Sequence, residues 1–279
     1  QSHLFITGMP RSGTTSLLNF IYSSDKYASL TYKNMPFILS PNLSKLLNLK
    51  NILEKERVHG DGIIYNINSP EAFDEIFFNN NHEFVKNELE NYIQLILFSK
   101  NKLNYLSKNN FNFKRIDLIN NILPKAKFLI PIRNPLSQAN SLLNQHSRFK
   151  KLQKKDDFIR RYMNYLGHFE FGLSHVPWNN PINFKDADQI DYWLEQWLLF
   201  YTKIFTNYKN YVNCFFIIYE QLSDPNYIKS LLENINIDLS KNMDLNYFKN
   251  SNKTVSNNNF SQNLYNDAND LYNKFKNQF

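Results

Sequence analysis

The sequence predicts an α/β fold, in which helices flank a doubly wound, P-loop-like parallel sheet. Short continuous apolar runs recur along the chain, each near a helical pattern, at 3–7, 103–107, 126–132 and 213–219. Runs of this kind are typical of parallel strands that are buried on both faces. The chain has 279 residues, 42% of them hydrophobic, which suffices for one large core. We therefore expect a single domain over residues 1–279.

The helices are predicted from apolar periodicity and from their first residues. One helix is expected at 69–78, where Ser69 can cap, Pro70 takes the first helical position and Glu71 follows. Further helical patterns cover 82–98, 114–123, 135–149, 186–208 and 264–275. The region of about 150–210 has helical patterns without a strand, so we expect a helical annex over one edge of the sheet. The polar stretch of about 249–263 is predicted to be poorly ordered.

Composition restricts the partners of the chain. The net charge of +7 indicates an anionic partner, which is a nucleotide, a nucleic acid or an acidic glycan. The single cysteine, Cys214, excludes an intrachain disulfide framework and favours a reducing compartment, so a cytoplasmic location is expected. No apolar run reaches the eighteen residues of a membrane-spanning helix. Because the chain begins with Gln1 rather than Met, our expectation is that something upstream has been removed.

The first strand runs into a loop that almost matches a phosphate-binding pattern. In 4-LFITGMPRSGTTSLLNF-20, Gly8, Gly13 and Thr15 fit G-x-x-x-x-G-K-[ST], but Thr14 replaces the lysine. None of the four predicted strands ends in an acidic residue that could hold magnesium. Both departures weigh against a magnesium-dependent kinase or nucleoside triphosphatase.

The loop is nevertheless well suited to an anion. Backbone N–H groups of residues 11–15 are expected to point into it at the positive end of the following helix. Arg11 supplies a fixed charge, and side-chain hydroxyls come from Ser12, Thr14, Thr15 and Ser16. The loop therefore predicts a site for a phosphate or sulfate ester.

A second candidate anion site follows the strand at 126–132. Arg133 stands at the strand end, and Pro135 opens a helix that carries Ser141 about two turns later. Arginine at such a position can form a charge-assisted pair with phosphate, to which a serine hydroxyl can also donate. An ordinary strand-to-helix junction with a surface arginine remains the alternative for this segment alone.

Both segments resemble the nucleotide-binding motifs of one enzyme family. The stretches 8-GMPRSGTTSL-17 and 130-IPIRNPLSQANSLL-143 are similar to those of sulfotransferases that use 3′-phosphoadenosine 5′-phosphosulfate (PAPS), especially bacterial-type members with P-R-S-G-T-T loops. The intervening 106–135 resembles the family's L-K-S-P to R-D-P stretch, with Lys108 at its lysine. The segment 216-FIIYEQLSDP-225 resembles its strand-end Y-E-D-L.

The resemblance implies roles for particular residues. The first loop would hold the 5′-phosphosulfate, while Arg133 and Ser141, eight residues apart, would hold the 3′-phosphate. Arg11 and Lys108 are the candidates for stabilising the transferred group, and no metal is required. The residues expected to bind the nucleotide are Arg11, Ser12, Gly13, Thr14, Thr15, Ser16, Arg133 and Ser141.

The sequence also departs from the family pattern. Asn109 and Asn110 replace Ser-Pro, Asn134 replaces the usual Asp, and Gln221 replaces the Asp of Y-E-D-L. The C-terminal Gly-Asp-Trp motif of the cytosolic small-molecule enzymes has no counterpart. Those enzymes are therefore poor guides to the acceptor, which we expect to be a carbohydrate, glycolipid or polysaccharide hydroxyl.

The acceptor hydroxyl needs a general base. His59, with Asp61 as second choice, is the candidate in the tight loop 56-ERVHGDGI-63, and the other candidates are His146, His168 and Glu170. Trp193, Trp197 and Tyr201 repeat every four residues, which indicates a buried helix face. Trp178, in a loop, is the better candidate for a substrate contact.

Two alternatives to a sulfotransferase remain at this point. A P-loop kinase would turn over ATP with magnesium instead of PAPS. A basic nucleic-acid-binding protein would fit the positive charge, but no cluster of interleaved basic and aromatic residues occurs, so no nucleic-acid partner is expected. The expected product of the preferred reaction is 3′,5′-ADP.

Overall fold

The computed structural model describes residues 2–46, 54–56, 64–78, 85–165, 167–248 and 259–278. Their strands are β1 (Leu4–Ile6), β2 (Tyr27–Ala28), β3 (Lys55–Glu56), β4 (Ile64–Tyr65), β5 (Asn104–Lys108), β6 (Lys127–Ile132) and β7 (Cys214–Ile218). Their α-helices are α1 (Thr14–Tyr22), α2 (Val85–Lys100), α3 (Ile116–Ile122), α4 (Pro135–Lys155), α5 (Asp157–Tyr165), α6 (Ile190–Tyr208), α7 (Pro225–Asn234) and α8 (Gln262–Lys276).

Five parallel strands form the central sheet in the order β2-β5-β1-β6-β7. The predicted α/β class is confirmed, and each of the four predicted strands is present. The two-residue strand β2 was not predicted, because a single Tyr-Ala pair carries no periodic signal. Strands β3 and β4 form a separate antiparallel pair. Since β1 lies in the middle of the sheet, the loop that follows it lies between the carboxyl ends of β5 and β6.

Side chains of β1 point alternately to two cores, one on each face of the sheet. Leu4 and Ile6 pack with apolar residues of α1 and α7, whereas Phe5 packs with those of α2, α3, α4, α6 and α8. Every one of these three side chains is fully buried. The sheet is therefore covered on both faces, as continuous apolar strands require.

Helix α6 fixes the junction between β6 and α4. Trp193, Trp197 and Tyr201 are fully buried, which confirms the predicted core face of this helix. Trp197 Nε1 donates to the backbone oxygen of Arg133 at 3.2 Å, and Tyr201 donates its hydroxyl to the backbone oxygen of Pro131 at 3.1 Å. The polar atoms of two core aromatic residues thus hold the strand end that carries Arg133.

The segment 69–78 is not the predicted α-helix, and only Asp74–Phe77 forms a 3-10 turn. Ser69 is not a helix cap, because its hydroxyl accepts a hydrogen bond from the backbone N–H of Asn66 at 3.0 Å. Pro70 instead forms an antiparallel bridge with Thr31. Pairing with a distant part of the chain therefore outweighs the local helix signal.

The region of about 150–210 contains the end of α4, all of α5 and α6, and the irregular segment 167–189 between them. Two buried polar side chains of α6 support this segment. Glu195 accepts from the backbone N–H groups of Ile182 and Asn183 at 3.0 and 2.9 Å. Gln196 makes two hydrogen bonds with the backbone of Asn179. Near the end of the chain, helix α8 lies close to the predicted 264–275, while most of the stretch predicted to be poorly ordered lies outside the described residues.

Candidate functional site

A cavity of about 500 Å³ opens at the carboxyl edge of the sheet. It is bordered by the loop after β1, by Lys108 at the end of β5, by Arg133 just after β6 and by Tyr219 just after β7. The carboxyl ends of neighbouring parallel strands meet at one edge, which is where ligands of open α/β sheets bind. The two predicted anion-binding segments therefore face the same cavity.

The backbone of the loop after β1 has positive φ at three positions. Gly8 has φ 149°, Arg11 has φ 67° and Gly13, the N-cap of α1, has φ 101°. A non-glycine residue in this region is strained, and such strain is concentrated at functional sites. The first turn of α1 contains no acidic residue, so its N–H groups and positive dipole end are available to an anion.

Most of the residues predicted for this loop line the cavity, namely Arg11, Gly13, Thr14, Thr15 and Ser16. Ser12 does not, because its side chain is fully buried below the loop. The Ser12 hydroxyl, which was predicted to bind the anion, is therefore packed inside the protein and does not line the cavity.

Gly13 lies directly against Tyr219. A Cβ atom built on Gly13 would stand 2.3 and 2.4 Å from Cδ2 and Cε2 of the tyrosine ring. The guanidinium of Arg133 also lies over this ring, 5.4 Å from its centre. Only glycine fits between the ring and the loop, so Tyr219 fixes the position of the helix start.

The two predicted anion segments are joined by direct hydrogen bonds. Arg133 Nη1 donates to the backbone oxygen of Arg11 at 3.1 Å, and Arg11 Nε donates to Ser141 Oγ at 3.0 Å. Gln138 Nε2 also donates to the backbone oxygen of Pro10 at 2.9 Å. Ser141 is not part of the cavity lining and contacts Arg11 instead. These contacts hold the two arginines at one end of the cavity.

Lys108 brings a third cation to the same end. The residues beside it are fixed: Asn109 Nδ2 donates to Glu75 Oε2 at 2.6 Å, and Arg115 binds both oxygens of that carboxylate at 2.7 and 2.5 Å. Asn110 also lines the cavity, and its side-chain oxygen lies 3.5 Å from the hydroxyl of Thr14. This network positions the end of β5 next to the loop.

The opposite end of the cavity belongs to the helical part of the chain. Its lining side chains come from α4, from α5 and from the segment after α5, and they are Gln145, Phe149, Met163, His168, Glu170 and Phe171. Glu170 is the single carboxylate among the cavity-lining residues that the structure describes. His168 Nδ1 lies 3.6 Å from Glu170 Oε2. His168 and Glu170, which are two of the base candidates from the sequence, therefore line the cavity side by side.

Two buried side chains of α4 hold the segment that carries this end. Gly172 donates its N–H to His146 Nδ1 at 3.2 Å, and Leu173 donates its N–H to Gln153 Oε1 at 2.6 Å. His146 is 3% exposed and contacts the ring of His175, with 5.2 Å between the centroids. Burial, together with the nearby His175, lowers the pKa of His146 to about 4. His146 is therefore a neutral anchoring residue at neutral pH, not a base in the cavity.

This anchor makes stability depend on pH. Because the pKa of His146 in the folded chain lies below its unfolded value of 6.5, the unfolded chain binds more protons between these values. We expect the free energy of unfolding to fall as the pH is lowered from 6.5 towards 4, and less steeply in the His146→Gln variant. Urea unfolding at pH 7.0, 5.5 and 4.5 measures this difference. Equal pH dependence in both proteins would contradict it.

Three further candidates from the sequence are not among the residues that line the cavity in the described parts of the chain. His59 and Asp61 fall outside the described residues. Trp178 is half-buried and its ring packs against Phe171 and Trp193, with centroids 5.8 and 6.1 Å apart, so it is not at the cavity surface. Tyr219 lines the cavity, but the sequence analysis did not predict it as a site residue. Its position directly after an apolar strand is the sequence signal that could have identified it.

Other lining residues had no sequence signal of function. Gln145 and Phe149 follow Ser141 at intervals of four residues on α4, which is also the pattern of a helix face packed on the core. Met163 lies in α5, and Phe171 lies in the segment after it. Both side chains pack against residues that are distant in the sequence.

Two properties of the described residues concern metals and membranes. No group of three or more His, Cys, Asp or Glu side chains in these parts of the chain is arranged to hold a metal ion. Within the same residues, no helix has the length and apolar character needed to cross a membrane.

Comparison with known proteins assigns residues 3–180 to a family model described as the sulfotransferase family. No curated protein matches the chain significantly. Among the solved structures that are similar in fold are two mycobacterial proteins. Sulfotransferase STF9 from Mycobacterium avium is 14% identical with a TM-score of 0.52, and the match covers 99% of this chain and 76% of that one. Sulfotransferase STF1 from Mycobacterium tuberculosis is 11% identical with a TM-score of 0.50, covering 99% and 77%.

Proposed function

The chain belongs to the sulfotransferase family, and we propose that it transfers a sulfuryl group from PAPS to a hydroxyl group of an acceptor. One observation carries the choice of donor. Arg11, Arg133 and Lys108 all line one end of the cavity, beside a helix start that has no acidic residue in its first turn. A donor with two separate anionic groups fits this end, because each group can meet its own cation.

The proposed roles follow the two joined segments. The loop residues Arg11, Gly13, Thr14, Thr15 and Ser16 bind the 5′-phosphosulfate through N–H groups, hydroxyls and charge. Ser12 supports the loop from below.

The 3′-phosphate is assigned to Arg133 and Ser141. For Ser141 to reach this phosphate, its hydroxyl must exchange its contact with Arg11 Nε for the ligand. Arg133 stays fixed through its contact with the backbone of Arg11.

The reaction is a displacement at sulfur. The acceptor oxygen forms a bond to sulfur as the bond between sulfur and the bridging oxygen of the donor breaks, and 3′,5′-ADP leaves with the bonding electrons. Negative charge grows on the leaving oxygen, where Arg11 and Lys108 stabilise it.

The acceptor proton passes to a base. Among the described residues that line the cavity, His168 and Glu170 carry side chains that can accept it. His59 and Asp61 stay predictions from the sequence.

The acceptor class expected from the sequence, a carbohydrate, glycolipid or polysaccharide, also stays a proposal. So does the cytoplasmic location inferred from the single cysteine. Cys214 is buried, and burial raises the pKa of its thiol to about 12, so this residue takes no part in the proposed reaction.

The direct test is incubation with ³⁵S-labelled PAPS and a panel of sugars, glycolipids and simple alcohols. We expect label in an acceptor and release of 3′,5′-ADP, together with thermal stabilisation by 3′,5′-ADP alone. A parallel reaction with ATP and magnesium tests the kinase alternative. ATP turnover without PAPS turnover would overturn the proposal.

Arg133→Ala tests the 3′-phosphate assignment. Because charge-assisted hydrogen bonds are worth about 1.5–3 kcal/mol, we expect affinity for 3′,5′-ADP to fall about 10- to 100-fold. Affinity for 5′-AMP, which lacks the 3′-phosphate, should change far less. Calorimetry with both nucleotides measures the difference. The control is Arg161→Ala, at a side chain that is 75% exposed and pairs with Asp157. Equal losses for both nucleotides would refute the assignment.

A further inference from the structure

One face of helix α4 changes from polar to apolar along the length of the cavity. Ser141, Gln145 and Phe149 are spaced by four residues, so they share this face. At 1.5 Å per residue, Ser141 and Phe149 are separated by about 12 Å along the helix axis. Ser141 contacts Arg11 at the cationic end, whereas Phe149 lines the opposite end. The helix therefore connects two chemically different halves of one cavity.

The far half combines an apolar wall with the polar side chains of His168 and Glu170. Phe149 and Phe171 meet edge to face, with 5.8 Å between their centroids, and Met163 lines the same region. All three side chains are buried, and Ile64, which is 63% exposed, also lines the cavity. Arg11, Lys108 and Arg133, the three lysine and arginine residues that line the cavity in the described parts of the chain, all lie outside α4, α5 and the segment after α5.

Gln145 lies between the two halves and has an unused donor. Its side chain is 6% exposed and lines the cavity, and no group in the described part of the chain accepts a hydrogen bond from its Nε2. Buried amide donors are nearly always satisfied. A ligand oxygen placed in the cavity next to Gln145 would supply the missing acceptor.

We propose that the half of the cavity beyond Gln145 binds the sulfuryl acceptor, and that this acceptor is an alcohol with an apolar body. This inference rests on the proposed function. Gln145 Nε2 donates to the acceptor's hydroxyl oxygen, while the alkyl or aryl body contacts Phe149, Met163 and Phe171. A free saccharide would bring hydroxyls against these three side chains, which offer no hydrogen-bond partners. His168 and Glu170 line the same end and face the hydroxyl end of this acceptor. Of the acceptors expected from the sequence, a lipid-linked one therefore fits this half best, because it has both a hydroxyl and an apolar body.

The test is binding of 1-butanol, 1-hexanol, 1-octanol and methyl glucoside to the protein saturated with 3′,5′-ADP, measured by calorimetry. We expect affinity to rise about threefold for each added methylene, and methyl glucoside to bind most weakly. Affinity that is independent of chain length, absence of alcohol binding, or tighter binding of the glucoside would overturn the inference. The proposed function fails separately, if 3′,5′-ADP itself does not bind.

A matched pair of variants locates the bound alcohol. Ile64→Ser should weaken 1-octanol binding about threefold, because it removes an apolar side chain from the cavity lining. Ile182→Ser changes the same residue type at nearly the same exposure, 66% against 63%, outside the cavity lining, and should leave binding unchanged. Equal effects of the two substitutions would place the alcohol elsewhere and overturn the inference.

Gln145→Leu separates a role in binding from one in folding. Because its Nε2 has no partner without ligand, we expect the melting temperature of the free protein to stay unchanged or rise, while 1-butanol binds at least about fivefold more weakly. Gln153→Leu, on the same helix, removes an amide whose oxygen accepts from Leu173, so it should lower the melting temperature. Unchanged alcohol binding in Gln145→Leu would refute the role of Gln145.

Discussion

The Gly13→Ala variant is expected to lose at least about 100-fold in kcat/KM, the scale on which a displacement of about 1 Å reduces catalysis. Its new methyl group would stand 2.3 Å from the ring of Tyr219, at a backbone φ of 101° that L-residues avoid. The loop and the start of α1 must therefore move away from the ring, and their N–H groups move with them. Overpacking and backbone strain together are expected to reduce the free energy of unfolding by about 2–5 kcal/mol.

A second glycine, Gly167, distinguishes the effect of backbone strain from that of overpacking. Gly167 also has a positive φ, 72°, but a Cβ atom there would meet no atom of the described chain within 4 Å. Gly167→Ala should thus destabilise by only about 1–2 kcal/mol. In the double variant Gly13→Ala/Tyr219→Ala, part of the loss in stability should be recovered, because the ring is gone. Steady-state kinetics and urea unfolding measure both effects, and equal results for the two glycine variants would contradict the argument.

Arg11→Ala should lower kcat about 100- to 1,000-fold, the loss observed when a preorganised group that stabilises transition-state charge is removed. Affinity for 3′,5′-ADP should fall less than about tenfold, because that product lacks the sulfuryl group. The structure is consistent with this difference, because the contact of Arg133 with the loop is to the backbone oxygen of Arg11 and not to its side chain. The loop oxygen remains available to Arg133 when the side chain is truncated.

Single-turnover kinetics and nucleotide calorimetry give the two quantities separately. Arg148→Ala is a suitable control. This arginine is on α4, but it is not part of the cavity lining; its side chain is 47% exposed and pairs with Glu56. If Arg11→Ala reduces nucleotide affinity and kcat by the same factor, Arg11 is a binding residue without a special role in transfer.

The parallel sheet was predictable because its strands are continuous apolar runs, a signal that depends on few neighbours. The segment 69–78 shows the limit of such local signals. Ser69 and Pro70 are good helix-start residues, yet the backbone N–H of Glu71 donates to the backbone oxygen of Leu30 at 2.9 Å and Pro70 bridges to Thr31. These contacts join positions about forty residues apart, so no local window contains them.

The cationic half of the cavity was predictable for a related reason. Arg11, Lys108 and Arg133 each follow or end an apolar strand, and parallel topology alone brings strand ends to one edge. The other half was not, because Gln145, Met163 and Phe171 come together through the packing of α4, α5 and the segment after it. The fit of Gly13 against Tyr219 is likewise a contact between distant residues that no spacing rule contains.

Helix α4 contributes residues to two parts of the cavity with different proposed roles, one in binding the donor and one in binding the acceptor. On α4, the residue assigned to the donor is Ser141, whereas Phe149 of the same helix belongs to the apolar wall. The segment 167–189 is held by buried side chains of α4 and α6. Variation in that wall can change which alcohol is accepted while the residues assigned to the donor stay the same. Exchange of this module between relatives is accordingly a route to new acceptor specificities, and an engineer can redesign it without rebuilding the donor site.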